Sequence, residues 1–299
     1  MSEREEYVKV PVGLFTIEGE GRGSYLPLLY CAFQLDKIKY DGHYRFHIVS
    51  YESFCFHMGY KVSERKKNRR AFQKDMEAFD KFNKLFNLEM TKKEYMNGKH
   101  KDMHLVYDMP YDYYLEATKD NKEYTAFIRQ KTLIELFRSK ESLSTKSKLL
   151  ECLVRIHKAT KKRKEEDKSE SAKRAIEERI PEVYPAMSCN LAHVFKVSRK
   201  TVDSLIEKMV NLKLLNMDTY KYNIFNKGKL FRQVNIHLIT IRDFVNHSET
   251  KELKNGKNWL VKNIAEYNRN HRFKEISLSR IFDPIGVKEG TKYRFIKAK

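Results

Sequence analysis

The chain has 299 residues, a length that suits about two domains. It carries 60 Lys and Arg against 40 Asp and Glu, a net charge of +20, and such an excess repels itself unless a polyanion relieves it. Only 11 Gly and 6 Pro occur, which argues against a turn-rich sandwich or barrel and against disorder, and no apolar run approaches the roughly 20 residues of a membrane-spanning helix.

The expected class is therefore mainly α with small β-hairpins, an α+β fold. The N-terminus, Met1 to Glu6, is charged and does not read as a signal peptide. Cys31, Cys55, Cys152 and Cys189 lack paired spacing and read as reduced, mostly buried thiols. The expected location is cytoplasmic.

The chain opens with an extended piece, Tyr7 to Ile17, then a Gly-rich turn from Gly19 to Gly23. Ser24 is placed to cap a helix through Leu26, Leu29 and Phe33. Phe46 to Val49 is a short strand candidate. Ser50 should cap a helix from Tyr51 to Met58 that Gly59 ends. From Ser63 a long helix is expected to about Phe86, because Phe72, Met76, Phe79, Phe82 and Leu85 recur at intervals of three and four. Leu88 to Tyr95 and His104 to Tyr107 read as strands around an Asn97-Gly98 turn. The Tyr-rich stretch to Tyr114 marks an exit, and a helix from Thr125 to Phe137 is expected to bridge to the second half.

Ser144 can cap a further helix through Leu149, Leu150, Leu153 and Ile156. A dense charge run follows from Lys158, read as a mobile insertion or an exposed helix. A short helix should start at Ser188 and turn at Lys196-Val197. Ser198 then caps a helix with Val202, Leu205, Ile206, Met209 and Val210 on one face. Leu214 to Tyr222 and Leu230 to Ile239 are strand-like around Asn226-Lys227-Gly228. The segment from Lys251 carries 13 basic and 5 acidic residues, with Trp259, Leu260, Ile264 and Tyr267 in an amphipathic run. It reads as a helical appendage docked on the second domain. The expected boundaries are 1–115, a connecting helix over 116–143, a second domain over 144–250 with its charged insertion at 158–180, and a basic extension over 251–299.

The two halves share an order: helix, short helix, tight turn, capped helix, two-stranded hairpin. They also share a word, Lys61-Val62-Ser63 and Lys196-Val197-Ser198. In a helix-turn-helix the second helix presents its N-terminal residues to the DNA major groove. Ser198, Arg199, Lys200 and Thr201 hold that position in the second half. Lys227, Lys229 and Arg232 of the hairpin can lie along a neighbouring groove. In the first half Arg65, Lys66, Lys67, Arg69, Arg70 and Lys74 crowd the equivalent helix and suit phosphate neutralisation.

In this order of elements the chain resembles the tandem winged-helix replication initiators of plasmids and phages, over roughly Tyr25 to Phe244. The resemblance implies two winged helix-turn-helix domains, with the second reading bases at repeated origin sites and the first supporting dimerisation or further DNA contact. The partners expected are double-stranded DNA on a nucleoid or plasmid, a second copy of the chain, and replication or transcription proteins. A transcriptional regulator would use the same parts, and a protein-interaction adaptor of the replication machinery is a third reading.

Catalytic motifs are not assembled in the sequence. Gly19 to Ser24 lacks the Gly-Lys-Ser/Thr ending of a phosphate loop. Cys55 with His57, and Cys189 with His193, have no partner pair at zinc spacing. No His-x-His pair exists for a rolling-circle nickase. The chain is expected to be a non-enzyme with no metal and no cofactor.

Overall fold

A computed structural model describes residues 7–15, 25–35, 37–40, 43–46, 50–86, 90–98, 125–171, 183–241, 248–270 and 274–282. The described residues are mostly helical, with small antiparallel sheets. It divides into two compact units, Met1–Val154 and Arg155–Lys299. The Gly-rich turn at 19–23, the Ser24 cap, and the expected strand His104 to Tyr107 lie outside the described residues, as do Asp108 to Tyr114.

In the first unit β1 (Tyr7–Pro11) leads into a 3-10 turn and then α1 (Leu26–Leu35), buried along most of its length. A small hairpin follows, β2 (Lys37–Tyr40) with β3 (His43–Phe46). The helix α2 (Tyr51–Met58) has the ends its sequence calls for. Ser50 Oγ accepts from the Ser53 amide at 3.0 Å, and Gly59 closes the helix at φ 76°, a left-handed conformation that only glycine adopts without strain.

Next come α3 (Val62–Lys67), α4 (Arg69–Phe86) and α5 (Lys92–Asn97), then β4 (Thr125–Arg129), α6 (Gln130–Arg138) and α7 (Leu143–Ser171), which runs on into the second unit. Phe33 of α1 meets Phe82 of α4 edge-on, with ring centroids 5.4 Å apart. Phe79 stacks on Tyr95 of α5 at 4.0 Å. Lys146 of α7 is buried, and its ammonium donates to the carbonyls of Met58 and Phe137, the last turns of α2 and α6. A cation belongs at such carboxyl ends. Burial still pulls its pKa down to about 8.

Four expectations fail in this unit, the first being the Ser144 cap: α7 starts at Leu143, and Ser142 Oγ accepts from the Thr145 amide at 3.2 Å. The long helix from Ser63 is two helices, broken at Asn68. With Leu88 and Glu89 outside the described residues, the strand expected over Leu88 to Tyr95 gives way to α5 at Lys92–Asn97. A capping box nucleates it: Thr91 Oγ1 accepts from the Glu94 amide, and the Glu94 carboxylate accepts from the Thr91 amide at 2.7 Å. The bridging helix starts only at Gln130. Before it, β4 alternates in burial and pairs antiparallel with β1, Val8 opposite Ile128 and Val10 opposite Ala126.

In the second unit β5 (Tyr184–Ala186) precedes α8 (Ser188–Phe195) and α9 (Arg199–Asn211). The long hairpin β6 (Asn216–Asn226) and β7 (Lys229–Thr240) follows, then α10 (Ser248–Asn270) and β8 (Lys274–Phe282). One sheet holds all four strands in the order β5-β7-β6-β8. The C-terminal extension is therefore not purely helical. Its alternating Ile276-Ser277-Leu278-Ser279 makes a strand that pairs along β6. Asn268 of α10 pins that strand, accepting from the Ile276 amide at 2.8 Å and donating to its carbonyl at 2.9 Å. The helix α10 lays Leu253 and Leu260 onto Val183, Tyr220, Ile236 and Leu238. Gly256 allows the close approach, since a Cβ there would stand 2.8 Å from a Val183 methyl. Part of the charge run after Lys158 is helical, because α7 continues to Ser171.

Candidate nucleic-acid interface

In the second unit the candidate basic residues lie on the first turn of α9 and on the hairpin that follows it. The helix α8 ends at Lys196, whose φ of 52° turns the chain sharply. The Val197 amide caps the Ala192 carbonyl at 3.1 Å, and α9 starts two residues later. Leu191 and Phe195 of α8 and Val202, Leu205, Ile206 and Met209 of α9 are buried, which fixes how α9 is rolled. Arg199, Lys200 and Thr201 are left exposed in its first turn. Ser198 stands at the N-cap, but its hydroxyl meets the Thr201 hydroxyl at 2.7 Å rather than a backbone amide.

The hairpin changes character along its length. Met217 to Tyr220 and Ile236 to Thr240 hold its base in the core, apart from half-buried His237. His237 bridges the hydroxyls of Thr219 at 2.9 Å and Ser188 at 3.2 Å, and so ties the hairpin to the start of α8; burial lowers its pKa. From Asn226 to Gln233 every residue is exposed. Lys227 at φ 50° and Gly228 at φ 73° form the turn, two successive left-handed residues that match the twist of paired strands. Lys227, Lys229 and Arg232 are thus at the tip.

In the first unit the break at Asn68 reorganises the expected site. Asn68 Oδ1 accepts from the Ala71 amide at 3.1 Å and so caps α4. Laid cap on cap, Asn68 over Ser198, the apolar positions Phe72, Met76 and Phe79 of α4 fall on Val202, Ile206 and Met209 of α9. Arg69-Arg70 then stand where Arg199-Lys200 stand. The shared Lys-Val-Ser word does not give this register, and Ser63 lies inside α3, whose N-cap is Lys61. The helix α3 lies between the Lys61-Val62-Ser63 word and the Asn68 cap.

Arg65 leaves the expected DNA-facing set. Its guanidinium grips buried Asp75 with two hydrogen bonds of 2.7 Å and lies over the rings of Tyr25 and Tyr60. Tyr51 donates a third bond to the same carboxylate at 2.9 Å. Burial opposes charge on Arg65, but the Asp75 carboxylate outweighs it and raises the pKa. The pair bolts α3 onto α4. That brings Lys66, Lys67, Arg69 and Arg70, all exposed, to one corner of the unit. Lys74 is half-buried with its ammonium 5.8 Å from the Tyr25 ring. Sequence reasoning missed Asn68 and Arg65 in these roles. The signal for the first was a helix-capping residue immediately before an Arg-Arg pair.

Among the described residues no group of three or more His, Cys, Asp or Glu is arranged to hold a metal ion, and no helix is long and apolar enough to cross a membrane. No family model, curated protein or solved structure matches this chain.

Proposed function

We propose that the chain binds double-stranded DNA sequence-specifically, with the second unit as the base-reading module. One observation carries this: a single sheet and two helices hold the exposed first turn of α9 and a basic hairpin tip on one small unit. The order helix, strand, helix, turn, helix, hairpin, with β5 paired to β7, the second strand of the hairpin, supports reading this unit as a winged helix to which β8 adds a further strand. Arg199, Lys200 and Thr201 are the base-reading candidates, with Lys227, Lys229 and Arg232 on an adjacent groove. The corner formed by Lys66, Lys67, Arg69 and Arg70 grips phosphate. A second winged helix in the first unit has less support, because α5 stands where its hairpin was expected.

On this reading the chain is a plasmid or phage replication initiator that works at repeated origin sites. A transcriptional regulator differs only in where the sites lie. Footprints on DNA flanking the chain's own gene separate the two: repeated sites beside an origin support initiation, and one site over a promoter supports regulation.

Duplex affinity should fall about 1,000-fold between 50 and 200 mM salt if about six of these cations meet phosphates. A mobility-shift titration measures the slope. A flat response, or no binding at low salt, overturns the reading.

The two clusters should also behave differently. Arg199→Ala should cost about 1–3 kcal/mol on cognate duplex and lower the cognate-to-random ratio, as loss of a bidentate base contact does. Changing Lys66, Lys67, Arg69 and Arg70 together to Ala should weaken both duplexes alike and flatten the salt slope. Competition binding reads both. A ratio that survives Arg199→Ala and collapses in the quadruple variant assigns the roles the other way round.

A further inference from the structure

The hairpin tip carries an aromatic ring that neither the core nor the strand ladder uses. β6 and β7 pair continuously from Asn216 opposite Thr240 to Ile224 opposite Arg232, then resume with Phe225 opposite Leu230. Phe231 is the residue in excess and has no partner on β6. A bulge of this kind bends the strand and re-aims a side chain. Here the ring is 73% exposed, and Leu230 beside it is 51% exposed.

The ring's surroundings say what it meets. Lys227, Lys229 and Arg232 lie within a few residues on both sides of it, all exposed. An apolar point flanked by cations suits a surface that offers phosphates at its rims and flat apolar faces between them. Between the two phosphate rails of duplex DNA the groove floor shows polar base edges, and the flat apolar faces lie between adjacent pairs, where an apolar side chain enters by parting one step. The tip is also braced, since β8 pairs with the other edge of β6 as far as Asn226 opposite Lys274. Three paired strands hold their shape where an isolated hairpin would not.

We propose that Phe231 is a wedge that enters the minor groove of duplex DNA and partly unstacks one base step, bending the duplex there. The proposal rests on the DNA-binding reading above. It assigns to the tip the deformation of DNA, a role separate from the base contacts of α9 and the phosphate contacts of the lysines.

The test uses the full chain and a set of short A·T-rich duplexes, each with 2-aminopurine replacing one adenine. This base fluoresces weakly when stacked and brightly when unstacked. Saturating wild-type protein should raise the signal several-fold at one step. Phe231→Ala should abolish the rise while keeping most of the low-salt affinity, because the three cations remain. Phe231→Leu should keep part of it, since leucine is also an apolar wedge. Circular dichroism of the variants checks the fold. A bound wild-type complex with no rise at any position, or an undiminished rise in the alanine variant, overturns the wedge alone. A wild-type chain that fails to shift these duplexes at low salt overturns the DNA-binding reading, and the wedge with it.

Discussion

Arg65→Ala should lower the stability of the first unit by about 3–5 kcal/mol, far more than loss of any exposed cation. The cost does not come from the attraction alone. Asp75 is buried, and without the guanidinium its carboxylate keeps only the Tyr51 hydroxyl as a hydrogen-bonding partner in the Arg65–Asp75–Tyr51 cluster. A buried charge stripped of its counter-charge is the expensive state. Replacing both partners, as in Arg65→Met with Asp75→Leu, should therefore recover much of the loss. Denaturant unfolding with amide exchange of α4 measures both variants. If Arg65→Ala unfolds within about 0.5 kcal/mol of wild type, the ion pair does not hold α3 to α4, and an ordinary surface substitution describes the site better.

Truncating the inner face of either long helix should cost nearly as much. Phe79→Ala should lose about 3–5 kcal/mol and Met209→Ala about 2–5 kcal/mol, a transfer term plus the cavity left behind. Both side chains are essentially fully buried. Phe79 has the harder replacement problem. Tyr95 lies flat against it, and the Tyr95 hydroxyl is already buried with no hydrogen-bond partner among the described residues. Removing the ring opens space beside an unsatisfied polar atom. Melting temperatures of the two variants read the effect, and an unchanged value in both would mean that neither helix is rolled as described.

Those two positions were legible in the sequence, because apolar spacing of three and four fixes a helix face whatever the chain does elsewhere. So were the caps of α2 and the start of α8 and α9, where a short polar side chain or a glycine sits at each end of an apolar run. The hairpin β6–β7 was legible from its Asn-Lys-Gly turn. The failures share a cause. Thr125 to Arg129 looked helical because its strand character depends on β1, more than a hundred residues away. Lys274 to Phe282 alternates in period two, but its neighbours are helical and basic, and only pairing with β6 makes the strand. Leu88 to Tyr95 contained a capping box, Thr91 with Glu94, that was outweighed by the Asn-Gly pair after it. By its charge alone Arg65 reads as one more cation facing DNA. Nothing in the local sequence tells that Asp75 lies one face of a helix away, or that Asn68 breaks the chain so that the two can meet. Phe231 was read as one more apolar residue of a strand, because a bulge is a property of two strands and neither announces it alone.

The sheet order of the second unit also sets a timetable. β7 follows β6 at once, so one edge of β6 is satisfied as soon as the hairpin is made. Its other edge waits for β8, which the ribosome produces only after the whole of β7 and α10. For that interval β6 presents a long row of unpaired backbone groups on a nascent chain. An open edge is an invitation to pair with any other strand, including the same strand of a neighbouring copy on the same message. Lys221 and the cations of the tip lie along this hairpin and repel a second copy. The charge on this hairpin thus also guards the chain during synthesis.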